Sequence, residues 1–180
     1  MPQCQQNLTY NISEQFLSIQ GEGGPGMGKP AYFIRFQICN LRCDFCDTKY
    51  TWTEKSDPNW KTISHKDLLA LIKNQPAKRI IFTGGEPLLT NFSPIIADLD
   101  ETYIFEVETN ATLIPSHYHG PAWRQKTETR VQWNVSPKYL SNSKQPLNEN
   151  ALKCGASRQN KLDVLLKFVV MHKNQKEFDQ

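Results

Sequence analysis

Three cysteines fall within eight residues of this chain, Cys39-Asn-Leu-Arg-Cys43-Asp-Phe-Cys46, directly after the apolar run 31–38. This C-x3-C-x2-C loop constrains the fold more than any other feature. A strand has to deliver it to an edge where three thiolates can face one centre. The spacing suits one face of an iron–sulfur cube. A cube that only carries electrons normally has four protein thiolates. Three leave one iron open, and an open metal position is where an external ligand binds and reacts. The alternative is a structural zinc site, which prefers four closed ligands, often in two paired knuckles. Here there is no second knuckle, His65 lies beyond a polar loop, and Cys154 is isolated far downstream. Five cysteines is an odd number and no secretory leader is expected, so a disulfide framework is disfavoured.

A length of 180 residues predicts one domain over 1–180, with 1–9 frayed. Hydrophobic residues at 38% and charged residues at 22% fit a globular chain with a sizeable core. No segment approaches the ~20 apolar residues of a membrane span. The net charge of +3 comes without a lysine/arginine block, so direct nucleic-acid binding is not expected. Free cysteines and an exposed cluster loop suit a reducing cytoplasm.

Along the chain, 11–17 reads as a short strand that leads into the glycine-rich loop 21–28. Strand 31–37 follows, then the cysteine loop, and 49–61 reads as irregular. Ser64 opens a helix, with Asp67 at the capping-box position and a stripe of Leu68, Leu69, Leu71 and Ile72. Strand 79–83 ends in Gly84-Gly85-Glu86-Pro87. Helix 92–99 and strands 103–108 and 131–135 come next. The run 164–171 is the most apolar stretch and reads as a buried strand. Strands alternating with helical patterns argue for βαβ units, a parallel sheet and an α/β fold. Cys39–Cys46, Gly84–Pro87, Thr109-Asn110 and Ser136-Pro137-Lys138 each follow a strand. In parallel α/β folds the carboxyl ends of the strands form the binding edge, so these motifs are expected to converge on one site.

The cysteine triplet, with aromatic Phe45 before its last cysteine, resembles the signature of the radical S-adenosylmethionine (SAM) superfamily. There the open iron chelates the amino and carboxylate groups of SAM, and one electron releases a 5′-deoxyadenosyl radical. Thr83-Gly84-Gly85-Glu86-Pro87 resembles the superfamily's GGEP motif. The opening Glu14-Gln-Phe-Leu-Ser-Ile-Gln-Gly-Glu-Gly23 is similar to that of the 7-carboxy-7-deazaguanine synthase family. Arg35, Cys46-Asp47-Thr48, Glu108-Thr109-Asn110, Ser136-Pro137-Lys138 and 166–170 match further family motifs. The likeness runs from about Glu14 to Val170.

The resemblance implies an incomplete parallel β/α barrel of the radical SAM type, as a compact variant. It implies a lyase of queuosine and deazapurine biosynthesis that converts 6-carboxy-5,6,7,8-tetrahydropterin into 7-carboxy-7-deazaguanine with loss of ammonia. A [4Fe–4S] cluster on Cys39, Cys43 and Cys46, SAM and Mg2+ would be the cofactors. Phe45, Cys46, Asp47, Gly84, Gly85, Glu86, Ser136, Pro137 and Lys138 would line SAM. Ile19, Gln20, Gly21, Arg35 and Thr83 would hold the pterin, and Thr48 would seat Mg2+. Glu22 and Glu108 are supporting candidates. The chemistry of several residues fits these roles. A guanidinium can pair bidentately with the substrate carboxylate, an amide such as that of Gln20 can read a donor–acceptor ring edge, and a hydroxyl suits hard Mg2+. The resemblance also implies a homodimer and an electron donor such as flavodoxin or ferredoxin. Family members usually continue beyond the point matching Gln180, so this chain is either compact or truncated. Residues 140–160 match no motif, and Cys4 and Cys154 read as spare thiols. Two other readings stay open: an activase that installs a glycyl radical on a partner protein, and a non-catalytic zinc-stabilised domain.

Overall fold

Strand residues alternate between two environments, and that alternation builds the molecule from the sheet outward. The computed structural model describes residues 8–113, 130–138 and 164–169. Within them, β1 (Thr9–Ile19), β2 (Pro30–Phe36), β3 (Lys61–Ser64), β4 (Arg79–Gly84), β5 (Ile104–Thr109), β6 (Val131–Val135) and β7 (Val164–Leu166) form one seven-stranded sheet of order β3-β1-β2-β4-β5-β6-β7. β2, β4, β5, β6 and β7 run parallel. This is the expected α/β sheet of a partial barrel, with one difference. β1 and β3 join its first edge antiparallel. β3 was not expected, because Lys61–Ser64 is polar and half-exposed, and only pairing with Thr9–Ile12 makes it a strand. Thr9 already belongs to β1, so the fraying expected over 1–9 does not hold for Thr9.

One face of the sheet is apolar. Ile34 and Phe36 of β2, Ile80 and Phe82 of β4, Phe105 and Val107 of β5, and Val131, Trp133 and Val135 of β6 form the main core. Helix α1 (His65–Lys73) covers this face with Leu68 and Ile72, and helix α2 (Ser93–Ala97) covers it with Ile95 and Ile96. Phe82 stacks on Phe92 with ring centroids 4.6 Å apart and on Phe105 at 5.8 Å. Each buried aromatic removes a large apolar area from water, at about 25 cal/mol per Å2. The Ser64 hydroxyl accepts from Asp67 N–H at 3.1 Å, as the cap predicts, and donates to the Asp67 carboxylate at 2.6 Å. Leu71 of the expected stripe is instead partly exposed. His65 is buried and tied off, Nδ1 against Tyr10 Oη at 2.9 Å and Nε2 against Asp98 at 2.8 Å, so it belongs to the helix packing.

The reading of 164–171 as a buried strand is corrected for its described part. The strand ends at Leu166, and Leu166, Phe168 and Val169 are 49%, 61% and 43% exposed. Among the described residues β7 is the last strand of the sheet and pairs only with β6, so an apolar run does not guarantee burial there. Cys4, Cys154 and residues 140–160 lie outside the described residues.

Candidate active site

The other, concave face carries polar side chains and opens into a cavity of about 880 Å3. Its walls come from the ends of the parallel strands. β2 leads into the cysteine loop, β4 into Gly84-Gly85, β5 into Thr109-Asn110, β6 into Ser136 and Lys138, and β7 into 167–169. The motifs read from sequence therefore meet in one space, because parallel strands put all their carboxyl ends on one edge.

Local bonds hold the cysteine loop against that edge. Ile38 adopts φ +83°, a left-handed backbone that is costly for a β-branched residue. Its N–H donates to Thr51 O at 2.8 Å and its carbonyl accepts from Glu86 N–H at 2.9 Å, so neighbours on both sides fix the turn. Gln37 Nε2 ties the far end of the loop by donating to Tyr50 O at 2.9 Å and Thr53 O at 2.6 Å. Gly85 is required at its position, since a Cβ there would collide with the Ile38 carbonyl.

Cys39, Cys43 and Cys46 are free thiols, and all three line the cavity. Cys39 Sγ accepts from Leu41 N–H at 3.4 Å and lies 4.0 Å from Asn110 Nδ2. Burial pushes the Cys39 thiol up to about 11, partly offset by the Leu41 N–H. Lys138 points its Nζ to Ser136 Oγ at 2.6 Å and lies 6.0 Å from the Phe45 ring. Its burial lowers the ammonium pKa, while Cys43 and Cys46 act in the opposite direction. Among the described residues no His, Cys, Asp and Glu set converges as a single-ion site would require. One zinc ion at ~2.3 Å from each sulfur would pull its thiolates to about 4 Å of one another, whereas a cube holds each on a separate iron. Three free thiols on one loop, with N–H donors beside them and a cavity in front, fit the iron–sulfur cube.

Arg35, Thr83 and Glu108 also line the cavity. Arg35 Nε donates to Glu14 Oε1 at 2.6 Å, the ion pair expected of a strand arginine, yet the side chain still lines the cavity. Thr83 Oγ1 donates to Glu108 Oε2 at 2.7 Å. Glu108 Oε1 is buried without a hydrogen-bond partner among the described residues. Burial raises the Glu108 pKa, with Glu106 adding to it, against the pull of Thr83, Arg35 and the Gln20 amide.

Ile19, Gly21, Glu22, Phe45, Asp47, Thr48, Gly84 and Ser136 also line the cavity. Two expectations need correction. Glu86 is fully buried and does not reach the cavity. Its carboxylate accepts from Leu88 N–H at 2.9 Å, Asn110 N–H at 2.8 Å and Thr109 Oγ1 at 2.7 Å, so it fixes the cavity-lining Thr109-Asn110 turn from behind. Pro137 is buried away from the cavity between two residues that line it. Gln20 lines the cavity as expected; its Nε2 donates to Glu106 and its Oε1 accepts from Glu22 N–H at 2.7 Å, one bond at each end of an amide that has two donors and two lone pairs. Sequence reasoning passed over Phe16, Ser18, Phe33 and Asn134, which also line the cavity. The signal was present: Phe33 is two before Arg35 and Asn134 two before Ser136, and alternate residues of a strand share a face.

The partial barrel and its cysteine loop define a radical SAM enzyme, and residues 33–119 match the family described as Radical SAM superfamily. That superfamily uses a [4Fe–4S] cluster and SAM, so these are the cofactors the three thiols and the cavity serve. The chain is 34% identical over 169 residues to the 7-carboxy-7-deazaguanine synthase of Clostridium acetobutylicum, across 91% of this chain and 69% of that protein. It belongs to the 7-carboxy-7-deazaguanine synthase family. The enzyme of that name from Escherichia coli strain K12 is 36% identical over 124 residues, covering 58% of this chain and 55% of that protein. The fold is shared with the crystal structure of QueE from Escherichia coli, with a TM-score of 0.70 at 23% identity over 97% of this chain and 89% of that one.

Proposed function

We propose that this chain is a carbon–nitrogen lyase that converts 6-carboxy-5,6,7,8-tetrahydropterin into 7-carboxy-7-deazaguanine with release of ammonia. The observation that carries this reading is that Arg35 and Glu108, whose Oε1 has no hydrogen-bond partner among the described residues, line the same cavity as the cysteine loop. A carboxylated pterin offers the matching chemistry, an anion for the guanidinium and ring N–H donors for the carboxylate. The family named for this product supports it further.

In this reading Cys39, Cys43 and Cys46 hold the cluster, and the bound cluster and SAM supply the radical that starts the rearrangement. Phe45, Cys46, Asp47, Gly85, Ser136 and Lys138 bind SAM, with Gly84 allowing close backbone approach. Glu86 and Pro137 act from behind that wall. Arg35 holds the pterin carboxylate, and Thr83 and Glu108 take ring donors. Ile19 and Gly21 supply backbone contacts, and Thr48 seats Mg2+. One domain carries all of this. The enzyme works in the cytoplasm as a homodimer, reduced by a flavodoxin- or ferredoxin-type donor, and feeds queuosine or other deazapurine synthesis. Among the described residues no helix is long and apolar enough to cross a membrane.

Anaerobic reconstitution followed by product analysis with SAM and the carboxypterin tests the proposal. Formation of 7-carboxy-7-deazaguanine supports it. SAM cleavage that ignores carboxypterin but installs a glycyl radical on a partner protein would replace it with the activase reading.

A further inference from the structure

Beneath the cavity the concave face carries a buried polar cluster to which the proposed reaction assigns no role. Glu106 of β5 is fully buried. One of its carboxylate oxygens accepts from Arg79 of β4, and the other accepts from Gln20 Nε2 and from Asn134 Nδ2, the latter at 3.0 Å. The glycine-rich loop lies on this cluster and crosses the strands in order. A Cβ at Gly26 would collide with Glu106 and come within 2.8 Å of Arg79 Nη1. One at Gly24 would collide with the Gln132 amide of β6, and one at Gly23 would sit 2.9 Å from Leu165 of β7. Glu22 then pairs with Lys167, just past β7.

Gln20 is the pivot. Its N–H donates to Lys29 O at 2.9 Å, its carbonyl accepts from Gly28 N–H at 2.8 Å, and its Oε1 accepts from Glu22 N–H at 2.7 Å. These three bonds close the loop on itself, and the side-chain bond to Glu106 sets where the closed loop sits. A buried carboxylate–guanidinium pair is a poor source of stability, because desolvation offsets most of its attraction. The same concave face uses an apolar patch of Ala31, Phe33 and Ile81 elsewhere. The charged cluster is better explained by the geometry it enforces.

We infer that Glu106 is a positioning residue that, through Gln20, fixes loop 20–28 so that its first residues, Gln20, Gly21 and Glu22, form one wall of the substrate cavity. The substrate part of this inference rests on the pterin reading; the loop part does not.

The test is amide hydrogen exchange by mass spectrometry on the reconstituted enzyme, with carboxypterin kinetics in parallel. The variants are Glu106→Gln and Gln20→Met, with Met27→Ala as a control on an exposed loop residue (65% exposed). Gln20→Met leaves the Arg79–Glu106 pair intact but also removes the acceptor of Glu22 N–H, so it is read only at residues 20 and 28, whose bonds are backbone bonds, and there it carries the test if Glu106→Gln does not fold. Glu106→Gln is expected to lose protection about tenfold at residues 20, 22 and 28, and Gln20→Met at 20 and 28, while β4 and β5 keep theirs. KM for carboxypterin is expected to rise about tenfold, the size of one lost hydrogen bond to a charged group, with substrate-free SAM cleavage unchanged. Met27→Ala moves neither readout. Unchanged protection of residues 20 and 28 in Gln20→Met, or an equal loss across β2, β4 and β5, overturns the inference. Local loss at 20–28 in a protein that ignores carboxypterin upholds the positioning of the loop and overturns the pterin reading instead.

Discussion

Arg35 and Glu14 face each other across the antiparallel pair β1–β2, and Arg35 Nε donates to Glu14 Oε1 at 2.6 Å. Tyr50 Oη donates to the same oxygen at 2.6 Å. The carboxylate therefore grips the guanidinium by its ε nitrogen. Among the described residues the two terminal nitrogens make no hydrogen bond, and they form the planar fork that a substrate carboxylate can use.

Arg35→Lys keeps the charge but loses the fork. Losing a charged hydrogen bond of ~1.5–3 kcal/mol predicts a drop of roughly ten- to a hundredfold in kcat/KM for carboxypterin. Substrate-free SAM cleavage should survive. Unchanged carboxypterin turnover would remove Arg35 from the substrate site.

Alanine at Cys39, Cys43 or Cys46 should each prevent assembly of the cube, read as iron and sulfide content after anaerobic reconstitution. Alanine at Cys4 or Cys154 should leave the content intact. Loss of the cluster in the Cys154 variant would reveal a fourth protein thiolate and close the open iron.

Glu108 makes a pH prediction. Its folded pKa is raised by burial, so the unfolded chain releases this proton first as pH rises. The folded state then binds more protons than the unfolded one, and stability falls as pH climbs through the ordinary carboxylate range. Glu108→Gln should therefore raise Tm at pH 7, and the gain should vanish below about pH 4, where both states are protonated. The same variant should lose carboxypterin turnover. A Tm gain independent of pH would assign the effect to packing.

Gly85→Ala places a methyl group against the Ile38 carbonyl. Overpacking against backbone costs about 1–3 kcal/mol. The strain falls on the residue that starts the cysteine loop, so SAM cleavage should drop more than the shift in Tm implies. Wild-type cleavage rates would show that the loop tolerates the displacement.

Local chemistry made much of this legible. The strand at 131–135 follows from its β-branched and aromatic residues, the start of α1 from Ser64 and Asp67, and the convergence of motifs from their positions after successive strands. β3 was not legible, because Lys61–Ser64 becomes a strand only by pairing with Thr9–Ile12, some 50 residues away. The exposure of Phe168 and Val169 was hidden too, since an apolar run carries no information about whether another element covers it.

The sequence by itself determined the kind of chemistry. Cysteine spacing, the Gly84-Gly85 approach and the Gln20–Gly23 opening are short-range patterns whose meaning lies in adjacent residues. The tertiary structure alone decided which polar groups remain available to a ligand. Glu86 and Gln20 both belong to motifs, yet Leu88, Thr109 and Asn110 take up the first behind the wall, while the second lines the cavity with one bond to Glu106. Glu108 shares its strand face with Glu106 and keeps one oxygen without a hydrogen-bond partner among the described residues. A buried group can be satisfied by a residue anywhere in the chain, so only the fold settles which carboxylate braces the wall and which faces the cavity.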